Sequence, residues 1–100
     1  MIMKSISIDE LISILPNDNV IDIRDNYEYN LGSIPNAKNI PMNFLIMNPD
    51  DYLKKDEKYY IYCGYGNRSK RCALTLSNMG YDVVNITGGY NAYNLFMHTK

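Results

Sequence analysis

The sequence predicts an α/β fold, a mostly parallel central sheet flanked by helices on both faces. Short β-branched or aromatic runs alternate along the chain with stretches of helical spacing. The linkers are short, so successive strands connect through helices, as a parallel sheet requires. The run Tyr59-Tyr60-Ile61-Tyr62 shows no polar alternation, which suits a strand covered on both faces.

Lys4–Ile6 is the first short strand. Ser7 reads as an N-cap with Glu10 at the capping-box position, opening a helix over Ile8–Leu15 with Leu11, Ile12 and Leu15 inward. Pro16-Asn17-Asp18-Asn19 stops that helix and turns the chain. Val20–Arg24 is a β-branched strand with an acid, Asp22, in its middle. Asp25 caps a short helix over Asn26–Leu31, closed by Gly32. Ser33–Asn36 is a turn, Ala37–Ile40 a short strand stopped by Pro41, and Asn43–Met47 and Pro49–Leu53 are short helical turns. Lys58–Cys63 is the strongest strand and is expected at the sheet centre. Arg68–Met79 has helical spacing, with Cys72, Ala73, Leu76 and Met79 on one stripe and Gly80 just past the end. Val83–Ile86 is the last strand, and Gly88-Gly89 opens a last helix through Met97.

Composition excludes several classes of function. One hundred residues with 46% hydrophobic and 21% charged side chains make one ordinary globular domain. A net charge of −1 offers no footprint for nucleic acid and no polybasic membrane patch. No apolar run is long enough to span a membrane, and Asp9 and Glu10 interrupt any leader-like stretch. Two cysteines do not make a disulfide framework, so a cytoplasmic protein with reduced thiols is expected. The abundance of Ile, Asn, Tyr and Lys reads as an AT-rich genome, so the ten tyrosines carry little functional weight.

The chemistry is expected at Cys63. It ends the strongest strand, and ligands in open α/β sheets bind at the carboxyl ends of strands. Gly64 and Gly66 let the next few residues curl and turn N–H groups inward, and the following helix adds its positive end. Arg68, Lys70 and Arg71 follow with no acid between residues 63 and 71, a local charge of +3. Such surroundings lower a thiol from ~8.5 toward ~3.5–7.5 and suit a nucleophilic thiolate acting on an anionic substrate.

The segment Cys63-Gly64-Tyr65-Gly66-Asn67-Arg68-Ser69 resembles the active-site loop of rhodanese-type sulfurtransferases, Cys-x-x-Gly-x-Arg-Ser. Three further segments match in order. Asp22-Ile23-Arg24-Asp25-Asn26-Tyr27-Glu28-Tyr29 is similar to Asp-Val-Arg-x-x-x-Glu-Tyr, and Gly32–Pro41 to Gly-His-Ile-Pro-Gly-Ala-x-Asn-Ile-Pro. Gly80-Tyr81 and Gly88-Gly89-Tyr90 are similar to the closing segments. The departures are Ser33 for His and Asn36 for Gly, both outside the loop and implying altered packing rather than lost activity, and Tyr93 near a usual Trp.

The resemblance implies a single rhodanese-like domain over 1–100. It also implies a double displacement in which Cys63 takes sulfane sulfur from a donor such as thiosulfate and yields it to cyanide or a thiol. Gly64, Tyr65, Gly66, Asn67, Arg68 and Ser69 would bind substrate, with Arg68 and Lys70 orienting an anionic donor and Tyr65 pointing outward at the entrance. Asp22 and Arg24 would be structural, Arg24 paired with Glu28 or Asp25 and Asp22 bonded to loop backbone. No cofactor or metal is implied. The six-residue loop Cys63–Arg68 is one shorter than the Cys-x5-Arg loop of related phosphatases, which favours sulfur over a tetrahedral oxyanion.

Cys72 is expected to pack in the core rather than to resolve a persulfide. His98, near the chain end and without a partner histidine, is given no metal or catalytic role. Tyr59, Tyr60 and Tyr62 form a packed strand, while Tyr27 and Tyr29 are partly exposed. Two other functions remain open: a persulfide carrier served by a protein donor, and a Cys-based phosphatase or arsenate reductase.

Overall fold

In the computed structural model, which describes residues 3–99, the strands are β1 (Lys4–Ile6), β2 (Val20–Asp22), β3 (Lys38–Asn39), β4 (Lys58–Tyr62) and β5 (Asp82–Ile86). The helices are α1 (Ile8–Ile12), α2 (Asn26–Leu31), α3 (Met42–Met47), α4 (Asn67–Asn78) and α5 (Gly89–His98), with a 3₁₀ turn at Pro49–Asp51. The sheet order is β1-β5-β4-β2-β3, and every pairing is parallel. The α/β class expected from the alternating pattern is therefore observed, with β4 at the centre. Among the described residues no helix is long and apolar enough to cross a membrane.

Alternation along β4 divides the core. Tyr59, Ile61 and Cys63 face the layer that holds Leu45, Cys72, Ala73 and Leu76 of α3 and α4. Tyr60 and Tyr62 face the opposite layer, with Leu11, Ile86 and Tyr93. Burying a side chain such as Ile61 or Leu76 stabilises by about 1.5–3 kcal/mol, so the two layers together hold β4 in register. That register also aims Cys63, one residue past the strand, at α4.

Several boundaries differ from the sequence reading. The Ser7–Glu10 capping box forms, but α1 ends at Ile12, and Ile14 and Leu15 donate to the carbonyls three residues back. β2 stops at Asp22, although the Ile23 N–H still reaches the Tyr62 carbonyl at 3.0 Å. β3 keeps only Lys38–Asn39 of the expected Ala37–Ile40. Met79 is 43% exposed rather than inward, because α4 closes there. Gly80 takes φ 98°, its N–H bonds to Ser77 and that of Tyr81 to Leu76, and Tyr81 fills the core instead.

The parallel register brings the carboxyl ends of β2, β4 and β5 to one edge, with Asp22 level with Tyr62. The chain leaves β4 toward β5 and leaves β2 toward β3, in opposite directions across the sheet. Their adjoining ends flank a topological switch point, the place where α/β sheets bind ligands.

Candidate active site

Cys63 lies at that switch point, 1% exposed, at the base of a loop closed by α4. Gly66 precedes α4 with φ 104°, a left-handed conformation that side chains resist, and a Cβ there would stand 3.0 Å from the Gly88 nitrogen. The reversal turns amides inward: the Gly66 N–H lies 3.1 Å and the Ser69 N–H 3.3 Å from the sulfur. The Ser69 hydroxyl is 3.4 Å away. Burial pushes the thiol up. The Ser69 hydroxyl and the backbone N–H groups of Ser69, Gly66 and Arg68 outweigh it and hold Cys63 below the ordinary thiol value.

The loop is fixed from outside by α5. The Tyr90 N–H donates to the Cys63 carbonyl at 2.8 Å and the Asn91 N–H to the Gly64 carbonyl at 2.9 Å. With these carbonyls bound outward, the loop's donors are free to face the sulfur. Gly89, at φ 62°, permits the approach; a Cβ there would collide with both carbonyl oxygens.

Asp22 and Arg24 form a buried unit beside the loop. Asp22 is wholly buried and accepts the Arg24 backbone N–H at 2.9 Å, its Nε at 3.0 Å and its Nη2 at 2.7 Å. Arg24 Nη2 also donates to the Gly32 carbonyl at 2.7 Å, and the guanidinium lies 4.5 Å from the Tyr90 ring centre. The expected pairing of Arg24 with Glu28 or Asp25 is thus corrected: a buried carboxylate two residues away takes the guanidinium. Glu28 instead faces Arg68, with 3.7 Å between Nη2 and Oε2.

The three cations after Cys63 have different neighbours. Arg68 is paired with Glu28. Lys70 lines a cleft of about 240 Å³ with Tyr65, Gly66, Asn67 and Asn85. Arg71 lines another, with Met42, Ile46 and Cys72. Tyr65 points outward as expected, 76% exposed. Cys72 is buried, its thiol pushed up to about 12 by burial and by Cys63 nearby, which suits a packing residue. His98 bonds only to the Asn94 carbonyl at the exposed end of α5, and among the described residues no group of His, Cys, Asp and Glu could hold a metal. Sequence reading missed Asn85, buried in β5 and 2.6 Å from the Ser69 hydroxyl. The available signal was a polar residue inside the run Val83-Val84-Asn85-Ile86.

The family model of the Rhodanese-like domain matches residues 7–95. The chain belongs to the rhodanese-like family. A sulfurtransferase of Allochromatium vinosum is 35% identical over 75 residues, 74% of this chain and 69% of that protein. The Arabidopsis thaliana protein named HIGH ARSENIC CONTENT 1, mitochondrial, is 36% identical over 85 residues, 73% of this chain, and this chain spans 50% of its length. The crystal structure of a rhodanese-like domain protein from Staphylococcus aureus is 40% identical, covers 91% of each chain and superposes with a TM-score of 0.81. Two of the departures from the rhodanese pattern are seen in place. Asn36 takes φ 69°, which asparagine tolerates, and Tyr93 is buried against Tyr90 with ring centres 6.1 Å apart.

Proposed function

We propose that the protein is a rhodanese-type sulfurtransferase working through a persulfide on Cys63. The observation that carries this reading is the set of backbone N–H donors, with the Ser69 hydroxyl beside them, around a buried sulfur whose acidity they raise. The Cys63 thiolate attacks the outer sulfur of thiosulfate. A new S–S bond forms at Cys63, the S–S bond of thiosulfate breaks, and sulfite leaves with the electron pair. The charge of the persulfide rests on the same donors, which are already oriented when it develops. Cyanide or a thiol then attacks the outer sulfur and releases the Cys63 thiolate. Gly64, Gly66, Asn67 and Ser69 supply or position the cradle, Tyr65 shapes the entrance, and Arg68 stands beside it. Asp22 and Arg24 hold Gly32 and Tyr90 in place and take no part in the chemistry. Two free thiols suit a reducing compartment, the cytoplasm.

Intact mass after incubation with thiosulfate tests this reading. The expected result is a gain of one sulfur, lost on reduction and absent in Cys63→Ser; no gain with any sulfur donor overturns it. A persulfide that forms only from a protein donor marks the domain as a carrier. The likeness to a protein named for arsenic content makes arsenate reduction the second reading, and arsenite production dependent on Cys63 would establish it.

A further inference from the structure

Beside the loop, Glu28 offsets the charge of Arg68. Arg24 is engaged by Asp22. Arg68 hangs beside the loop, its Nη2 3.6 Å from where a Cβ on Gly64 would stand, and it meets the Glu28 carboxylate. Glu28 is anchored: its Oε1 accepts the Asp25 N–H at 3.2 Å at the start of α2, while Oε2 faces Arg68. A fixed negative charge therefore stands against the one arginine of the loop, while Lys70 lines the cleft beside Tyr65 and Asn67 and Arg71 a different one with Met42 and Ile46.

From this geometry we infer that Glu28 is a specificity-determining residue of the sulfur-accepting step, disfavouring dianionic donors relative to donors of lower charge such as the hydropersulfides of thiols. The inference rests on the sulfur-transfer reading above. Thiosulfate and the Cys63 thiolate together bring three negative charges into the cradle. The hydropersulfide of an uncharged thiol, at most a monoanion, brings the total to two at most. In that case the Cys63 S–S bond forms, the donor's S–S bond breaks, and a thiolate leaves with the electron pair. Repulsion from Glu28 grows with the donor's charge, so it falls chiefly on thiosulfate.

Glu28→Gln tests this cleanly, because glutamine at this position still accepts the Asp25 N–H and only the charge is lost. The ratio of kcat/KM for thiosulfate to that for the hydropersulfide of an uncharged thiol is expected to rise about fivefold at low salt, an effect that added salt erodes. Alkylation of Cys63 supplies a readout that needs no sulfur transfer: the rate with anionic iodoacetate, relative to neutral iodoacetamide, should rise about twofold. An unchanged alkylation ratio overturns the inference. A raised ratio with no persulfide from any donor overturns the sulfur-transfer reading instead. The wild-type protein provides a check independent of the variant: its kcat/KM for thiosulfate should stay flat or rise with ionic strength. A steep fall, as three converging cations would give, overturns the inference.

Discussion

Cys63 and Cys72 are nine residues apart, share one core layer and are almost equally buried, at 1% and 2% exposure. Their acidities nevertheless move in opposite directions. Burial, with Cys63 nearby, drives Cys72 up to about 12. The same penalty acts on Cys63 and is overcome by donors aimed at its sulfur. The acidity of each thiol follows from where the donors point, not from access to water. Each donor depends on local backbone: the left-handed Gly66, the first turn of α4 and the carbonyls tied to α5. Cys72 sits in mid-helix, where neighbouring N–H groups already belong to the helix.

The sharpest way to break this contrast is to remove each sulfur. Cys63→Ser should abolish transfer to cyanide, whereas Cys72→Ala should leave kcat/KM within about twofold and cost stability as a small core truncation, about 1–2 kcal/mol. Steady-state turnover and urea unfolding measure the two effects. Gly89→Ala comes next. The forced left-handed φ and the collision with the Cys63 and Gly64 carbonyls should destabilise by about 2–3 kcal/mol and reduce turnover by more than tenfold, read by thermal unfolding and by activity. Ser69→Ala removes the hydroxyl beside the sulfur and should raise the Cys63 pKa. The pH profile of iodoacetamide alkylation reads that shift, and an unmoved profile would place the thiolate's stabilisation in the backbone amides alone.

The smallest effect is a pair of opposed pH dependences of stability. Cys63 is more acidic folded than unfolded, so its contribution is present above the unfolded thiol value, ~8.5, and is lost as pH falls through the folded value. Cys72 is less acidic folded, so its contribution is complete below ~8.5 and is lost as pH rises toward about 12. Unfolding free energies of wild type and Cys72→Ala across mildly alkaline pH should therefore converge as pH rises.

Much of this was legible in the chain. The unbroken apolar run of β4 placed it at the sheet centre, and glycines flanked by cations marked the cradle. The local charge of +3 did not show that Glu28, far back in the chain, meets Arg68. At 100° per residue, Arg68 and Arg71 lie about 60° apart around α4 while Lys70 lies about 160° from Arg68, and that divergence was available in their spacing. Asp22 and Arg24 stand two apart at a strand end, on the same face, so their pairing was also accessible from alternation. Asn85 was not: its partner Ser69 is sixteen residues away, and only the parallel pairing of β4 with β5 brings them together.

The two bonds from the start of α5 to the Cys63 and Gly64 carbonyls have a consequence for the protein's fluctuations. Fraying of the first turn of α5 frees those carbonyls to rotate, and the cradle's amides lose their common aim. Nucleophile acidity and the docking of the last helix are thus coupled: each transient opening of α5 returns Cys63 to the ordinary character of a buried thiol. Amide exchange at Tyr90 and Asn91 should consequently slow when a persulfide occupies the cradle, because its charge holds the donors, and through them the helix, closed.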